Sequence, residues 1–90
     1  MIFKIVWTVT AINSYHEEID YIYLKWNLKE VLKFENLVNT EIDRISTNPF
    51  IGKVNLKNSY SLTLSKQTTL FYTINNNLNL IELLLFFNNQ

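Results

Sequence analysis

The apolar residues of this chain change their spacing near residue 50, and that change constrains the fold more than any other feature. Upstream, Ala11, Tyr15, Ile19, Ile22 and Trp26 recur every three or four positions, the spacing of one face of an α-helix. Val31, Phe34, Val38, Ile42 and Ile45 form a second such stripe, with Leu37 and Glu41 at its edges. Downstream the period is two. Tyr60, Leu62 and Leu64 alternate with Ser61, Thr63 and Ser65, and Leu70, Tyr72 and Ile74 alternate with Thr69, Phe71 and Thr73. That alternation lays apolar side chains on one face of a strand.

The punctuation agrees with the periods. Thr8 and Thr10 offer N-cap oxygens before the first stripe. Asn27-Leu28-Lys29-Glu30 has the spacing of a capping box and starts the second helix almost at once, so the two helices pack as an antiparallel hairpin. Ser46 to Lys53 reads as a loop: Pro49 cannot continue a helix, and Gly52 permits a tight bend. Lys66-Gln67-Thr68 and Asn75-Asn76-Asn77 read as turns, the latter because Asn tolerates positive φ. Ile2 to Trp7 reads as a buried strand. Leu78 to Phe87 is apolar on both faces apart from Asn79 and Glu82, which places it inside the sheet. The order is strand, helix, helix, then three hairpin-linked strands. Segregation of this kind gives an α+β fold, β-α-α-β-β-β, with a three-stranded antiparallel meander.

Composition bounds the rest. Ninety residues make one domain, 1–90, and at 48% hydrophobic it is a folded one. With no Cys and one His there is neither a disulfide framework nor a thiolate zinc site, and no metal or cofactor is expected. The absence of Cys fits a reducing cytoplasm. Lys4 is followed by too few apolar residues for a signal peptide, and Leu83 to Phe87 falls far short of the ~20 residues a membrane helix needs. Gly52 is the only glycine, which excludes a glycine-rich phosphate loop. The formal net charge is zero, against the basic balance of many nucleic-acid binders.

Several stretches resemble the RelE/ParE toxin superfamily. The first strand ends in Val6-Trp7-Thr8, with Ala11 opening the helix. Glu18-Ile19-Asp20-Tyr21-Ile22 is similar to the family's "I-x-x-Y-I" helix, and Phe34 and Leu37 stand where its second helix carries "F-x-x-L". Ile42, Ile45, Pro49 and Gly52 match the signature "I-x-x-I-x-x-x-P-x-x-G". Lys66 to Tyr72, followed by Ile81-Glu82-Leu83-Leu84, looks like the closing hairpin. The resemblance covers essentially the whole chain. It implies a cytoplasmic toxin of a type II toxin–antitoxin pair, neutralised by a cognate antitoxin that wraps a helix and an extended segment around it. RelE-like members cut messenger RNA in the ribosome, whereas ParE-like members inhibit DNA gyrase. The resemblance allows a homodimer or a toxin–antitoxin hetero-oligomer, and no membrane partner.

RelE-type cleavage needs acid/base groups and cations to stabilise the transition state. The resemblance places an Arg near the start of the second strand, where this chain has Tyr60 or Ser61, and an Arg or His near the end of the last, where it has Phe87-Asn88-Asn89-Gln90. The remaining catalytic candidates are Lys66 and Tyr60. As target- or antitoxin-binding residues the reading selects Tyr60, Lys66, Trp26 and Arg44, the chain's only arginine. Each has a plainer reading: Lys66 as a solvated hairpin-tip lysine, Tyr60 as core, Trp26 as packing. His16 reads as a surface histidine, and Glu17, Glu18 and Asp20 as a solvated face that favours the helix dipole. The long helices and the missing cations favour a ParE-like inhibitor. A RelE-like endoribonuclease is the alternative, and a member that keeps only antitoxin binding the third. Family members usually run a few residues past the last strand, so a chain ending at Gln90 reads as truncated.

Overall fold

The computed structural model describes residues 2–56 and 58–89. In chain order it contains β1 (Lys4–Trp7), α1 (Val9–Lys25), α2 (Leu28–Thr47), a 3-10 turn (Pro49–Ile51), β2 (Lys53–Val54), β3 (Ser59–Thr63), β4 (Thr68–Asn75) and β5 (Leu80–Asn88). The fold is α+β, as the change of period requires. All strands join one five-stranded sheet in the order β1-β5-β4-β3-β2, with β1 parallel to β5 and every other pair antiparallel.

β5 lies inside the sheet, between β1 and β4, which explains its apolar character on both faces. β1 is an edge strand, not the buried strand expected over Ile2 to Trp7, and Ile2 is 73% exposed. The loop expected over Ser46 to Lys53 is also corrected. α2 runs to Thr47, Pro49 opens the 3-10 turn, and Lys53 begins β2. A two-residue strand is too short to display a period.

Of the two threonines offered as caps, Thr8 caps α1 and Thr10 lies within it, and Asn27 caps α2. Thr8 Oγ1 accepts from Ala11 N at 3.1 Å, and Asn27 Oδ1 accepts from Glu30 N at 3.0 Å. The second stripe is the core of α2: Val31, Phe34, Val38 and Ile45 are buried. In α1 the buried line is Ala11, Ser14, Glu18 and Ile22 instead. Tyr15 and Ile19 flank it half-buried, and Trp26 at its end is exposed. On the sheet, Leu70, Tyr72 and Ile74 meet Ile81, Leu83 and Phe86. Trp7, Tyr15, Phe34 and Phe86 join the layers as an aromatic cluster, with ring centroids 5.2 to 5.8 Å apart.

The turn between β4 and β5 differs in detail from the expected Asn triplet. The positive φ, 50°, belongs to Asn79, while Asn75 Oδ1 accepts from Leu78 N at 3.1 Å.

Candidate functional site

Two surfaces collect the residues that could meet a ligand. The first is a groove of about 380 Å³ between the tip of the helical hairpin and the β3–β4 turn. Ile22, Phe34 and Leu37 form its apolar floor, Trp26 and Glu30 one wall, and Lys33, Lys66 and Gln67 line it further. The hairpin brings Trp26 here because Asn27 caps α2 immediately after α1 ends. Lys66 arrives from the turn, where Ser65 Oγ accepts from Gln67 N and Thr68 N, each at 3.2 Å, and so fixes the bend. Lys25 stands 5.7 Å from the Trp26 ring centroid.

The second surface is the sheet face away from the helices. Ser61 and Thr69, Phe71 and Thr73, Glu82, Leu85 and Phe87 occupy it, as the cross-strand register requires. It mixes hydroxyls, apolar groups and one carboxylate. None of β3, β4 and β5 contains a Lys, Arg or His.

The sequence candidates therefore separate. Trp26 and Lys66 share the groove. Arg44 lies eleven residues beyond Lys33 on α2, roughly 16 Å along the helix axis, and its guanidinium pairs with Glu41 at 2.9 and 3.1 Å. Tyr60 stands near the far end of β3, about 10 Å by strand rise from Thr63, after which the turn carries Lys66. It is half-buried, stacked on Tyr72 at 5.6 Å and met edge-on by Phe50 at 5.9 Å. It borders a separate polar recess with Asn58, Thr73, Asn75 and Glu82. Lys66 and Tyr60 thus line separate recesses. Gln90, the last residue of the segment where the resemblance places an Arg or His, lies outside the described residues.

The reading of Glu18 as part of a solvated acidic face is overturned. Glu18 is 4% exposed. Its carboxylate accepts from Thr68 Oγ1 at 2.5 Å and from Asn88 Nδ2 at 2.9 Å. It ties α1 to the first residue of β4 and the last of β5. Nor does α1 carry a carboxylate in its first turn, so the expected dipole interaction there is absent. Ser14, also buried, accepts from Phe86 N at 2.9 Å. A polar residue at helical spacing looks solvated in a sequence, and only the partners across the sheet reveal otherwise. Two tyrosines have phenol pKa values raised: Tyr72 chiefly by burial, with Tyr60 adding to it and a hydrogen bond from Gly52 opposing, and Tyr15 by burial and the charge of Glu35. Among the described residues no cluster of His, Asp or Glu could hold a metal ion, and no helix is long and apolar enough to cross a membrane.

No protein-family profile matches the sequence, and no curated protein does. Solved structures do match. The RelBE2 toxin–antitoxin complex of Mycobacterium tuberculosis aligns with TM-score 0.70 at 16% identity, over 99% of this chain and 100% of that one. A YoeB/ParE toxin from Agrobacterium tumefaciens gives TM-score 0.70 at 15% identity, over 98% and 100%. A YoeB dimer from Staphylococcus aureus is 26% identical with TM-score 0.51, over 94% of each chain. The chain has the fold of the RelE/ParE-type toxins of toxin–antitoxin systems, as the resemblance in its residues implied.

Proposed function

We propose that this chain is the toxin of a toxin–antitoxin pair and that it acts in the ParE manner, by holding a macromolecular target without cleaving it. The observation that carries this reading is the sheet: β3, β4 and β5 offer no Lys, Arg or His to a scissile phosphate. Phosphodiester cleavage without a cation or an acid/base pair forfeits its largest sources of rate. On this reading DNA gyrase is the target, the cytoplasm the compartment, and a cognate antitoxin the neutralising partner. One of the similar structures is a toxin–antitoxin complex by its own description, which supports a partner of that kind.

Tightly controlled induction of the chain alone in a bacterial culture tests the reading. Growth arrest with induction of the DNA-damage response is the expected result. Arrest with immediate loss of translation would replace it with the second reading, a RelE-like ribosome-dependent endoribonuclease, which the likeness to RelE- and YoeB-named structures supports. That second reading leans on Lys66 as the remaining cation, so arrest undiminished in Lys66→Ala removes it. Normal growth with folded protein accumulating would mean a chain that keeps the fold and antitoxin binding only.

A further inference from the structure

We infer that the tip of the helical hairpin, where α1 hands over to α2, lays Tyr23, Leu24, Leu28 and Leu32 onto the surface of an anionic lipid bilayer while Lys25, Lys29 and Lys33 hold its headgroups. The inference goes beyond the reading above and does not rest on it. It departs from the expectation of no membrane partner: the contact is with the surface of a membrane and involves no spanning helix.

The tip repeats one dyad. Leu24-Lys25, Leu28-Lys29 and Leu32-Lys33 recur every four residues across the connection, so a leucine stands beside an ammonium group three times. Every residue from Tyr23 to Lys29 is exposed. Leu24 is 83% exposed, and Tyr23, Leu28 and Leu32 are each more than half exposed. Leu28 and Leu32 lie one turn apart on the same side of α2, off its buried line of Val31, Phe34 and Val38. Exposed apolar groups gathered in one place mark an interaction site. The charge selects the occupant. Three of the chain's eight cationic residues fall within positions 25–33, against one carboxylate, Glu30. Glu30 meets Lys33 at 3.3 Å in an exposed pair worth little. Lys25 Nζ donates to the Tyr21 hydroxyl at 3.0 Å, which leaves its charge in place. Lys29 makes no ion pair among the described residues. Asp20 and Glu35 stand further back on the two helices. Lysine stems can lie along the leucines while their heads reach lipid phosphates, and a tyrosine suits the same depth with its apolar ring and polar hydroxyl. Neither recess described above includes Tyr23 or the three leucines, so a partner that recognises shape has nothing to enter there. A bilayer interface needs only apolar area beside positive charge. Trp26 turns to the groove and takes no part.

The test mixes the full chain with vesicles of phosphatidylcholine alone, or of phosphatidylcholine and phosphatidylglycerol in equal parts, and measures the bound fraction by flotation. We expect binding to the anionic vesicles only, with release at high salt. Lys29→Gln should weaken it about fivefold, and Leu24→Ser and Leu28→Ser each about tenfold. All three side chains are exposed, and circular dichroism checks that the variants fold. Leu78→Ser, at a 69% exposed position in the β4–β5 turn, should leave binding unchanged. Binding to neither vesicle, equal binding to both, or a loss in Leu78→Ser equal to that in Leu24→Ser overturns the inference. So does binding that ignores the leucine substitutions, since lysines alone would then be meeting any polyanion. Tip substitutions that break up a self-associated species, with no vesicle binding, assign the face to a protein contact and also overturn it. Growth arrest is scored separately. Arrest without vesicle binding keeps the toxin reading and removes this inference, and vesicle binding without arrest does the reverse.

Discussion

Glu18 carries an unusual share of the tertiary structure for one side chain. It holds the start of β4 and the end of β5 against α1 from a nearly water-free position. Glu18→Ala would strand the Thr68 hydroxyl and remove the contact with Asn88, at about 1–3 kcal/mol; a lowered urea midpoint with unchanged slope is expected. Gly52 is constrained differently. Its φ of −72° is open to any residue, so the tight bend expected of it is not why glycine stands there. A Cβ would meet the Tyr72 hydroxyl at 2.5 Å and the Ser61 carbonyl at 2.9 Å. Gly52→Ala should therefore cost about 1–3 kcal/mol by overpacking. Tyr72 donates to the Pro49 carbonyl at 2.7 Å and accepts from Gly52 N at 3.2 Å, so the Pro-x-x-Gly segment is seated on β4 by one phenol. Burial raises the pKa of that phenol above 10.0. The unfolded chain then loses its tyrosine protons before the folded one. Stability should be fully present below pH ~10 and fall as pH rises through the raised value. Thermal melts between pH 8 and 11 check this, and Tyr72→Phe should flatten the decline.

At the scale of the element, β5 shows how a strand can read as apolar throughout and still keep two distinct faces. Tyr72 pairs with Leu83 and Phe71 with Leu85, so Leu84 is an extra residue opposite no partner. This bulge is what lets Leu83 and Phe86, of opposite parity, both face the core. Where β1 ends, α1 takes over the edge of β5. Thr8 Oγ1 donates to the Leu83 carbonyl at 2.7 Å, and Ser14 Oγ receives the Phe86 N–H. Deleting Leu84 leaves both halves of β5 in register, so the variant should fold with its amide-exchange protection largely retained. Deleting Thr73 in β4 turns the following residues onto the wrong face and should abolish cooperative unfolding.

For the molecule as a whole, charge neutrality governs behaviour in solution. The sequence pI is about 6.6, and Val9, Leu24, Trp26, Leu28 and Phe87 are among the apolar residues at least half exposed. Self-association should peak near pH 6.6 and recede on either side as net charge grows, which light scattering across pH 5–9 would register. Against that neutral total, positive charge is gathered locally by Lys25, Lys29 and Lys33 at the hairpin tip.

Local patterns determined much of this protein. Helical spacing, the Thr8 and Asn27 caps and the alternation in β3 and β4 act over a few residues, and the elements formed where those patterns lie. The two apolar faces of β5 also announced a strand with neighbours on both sides. Tertiary structure decided what depends on partners distant in sequence. It made β1 an edge, formed β2 from two residues, buried Glu18 against residues fifty and seventy positions away, and assigned Gly52 its role through Tyr72. It also split the candidate residues, joining Trp26 to Lys66 while leaving Tyr60 and Arg44 elsewhere. Periodicity reports which face of an element an apolar side chain needs to bury. It carries no record of which polar group will find its hydrogen-bond partner only after the layers close.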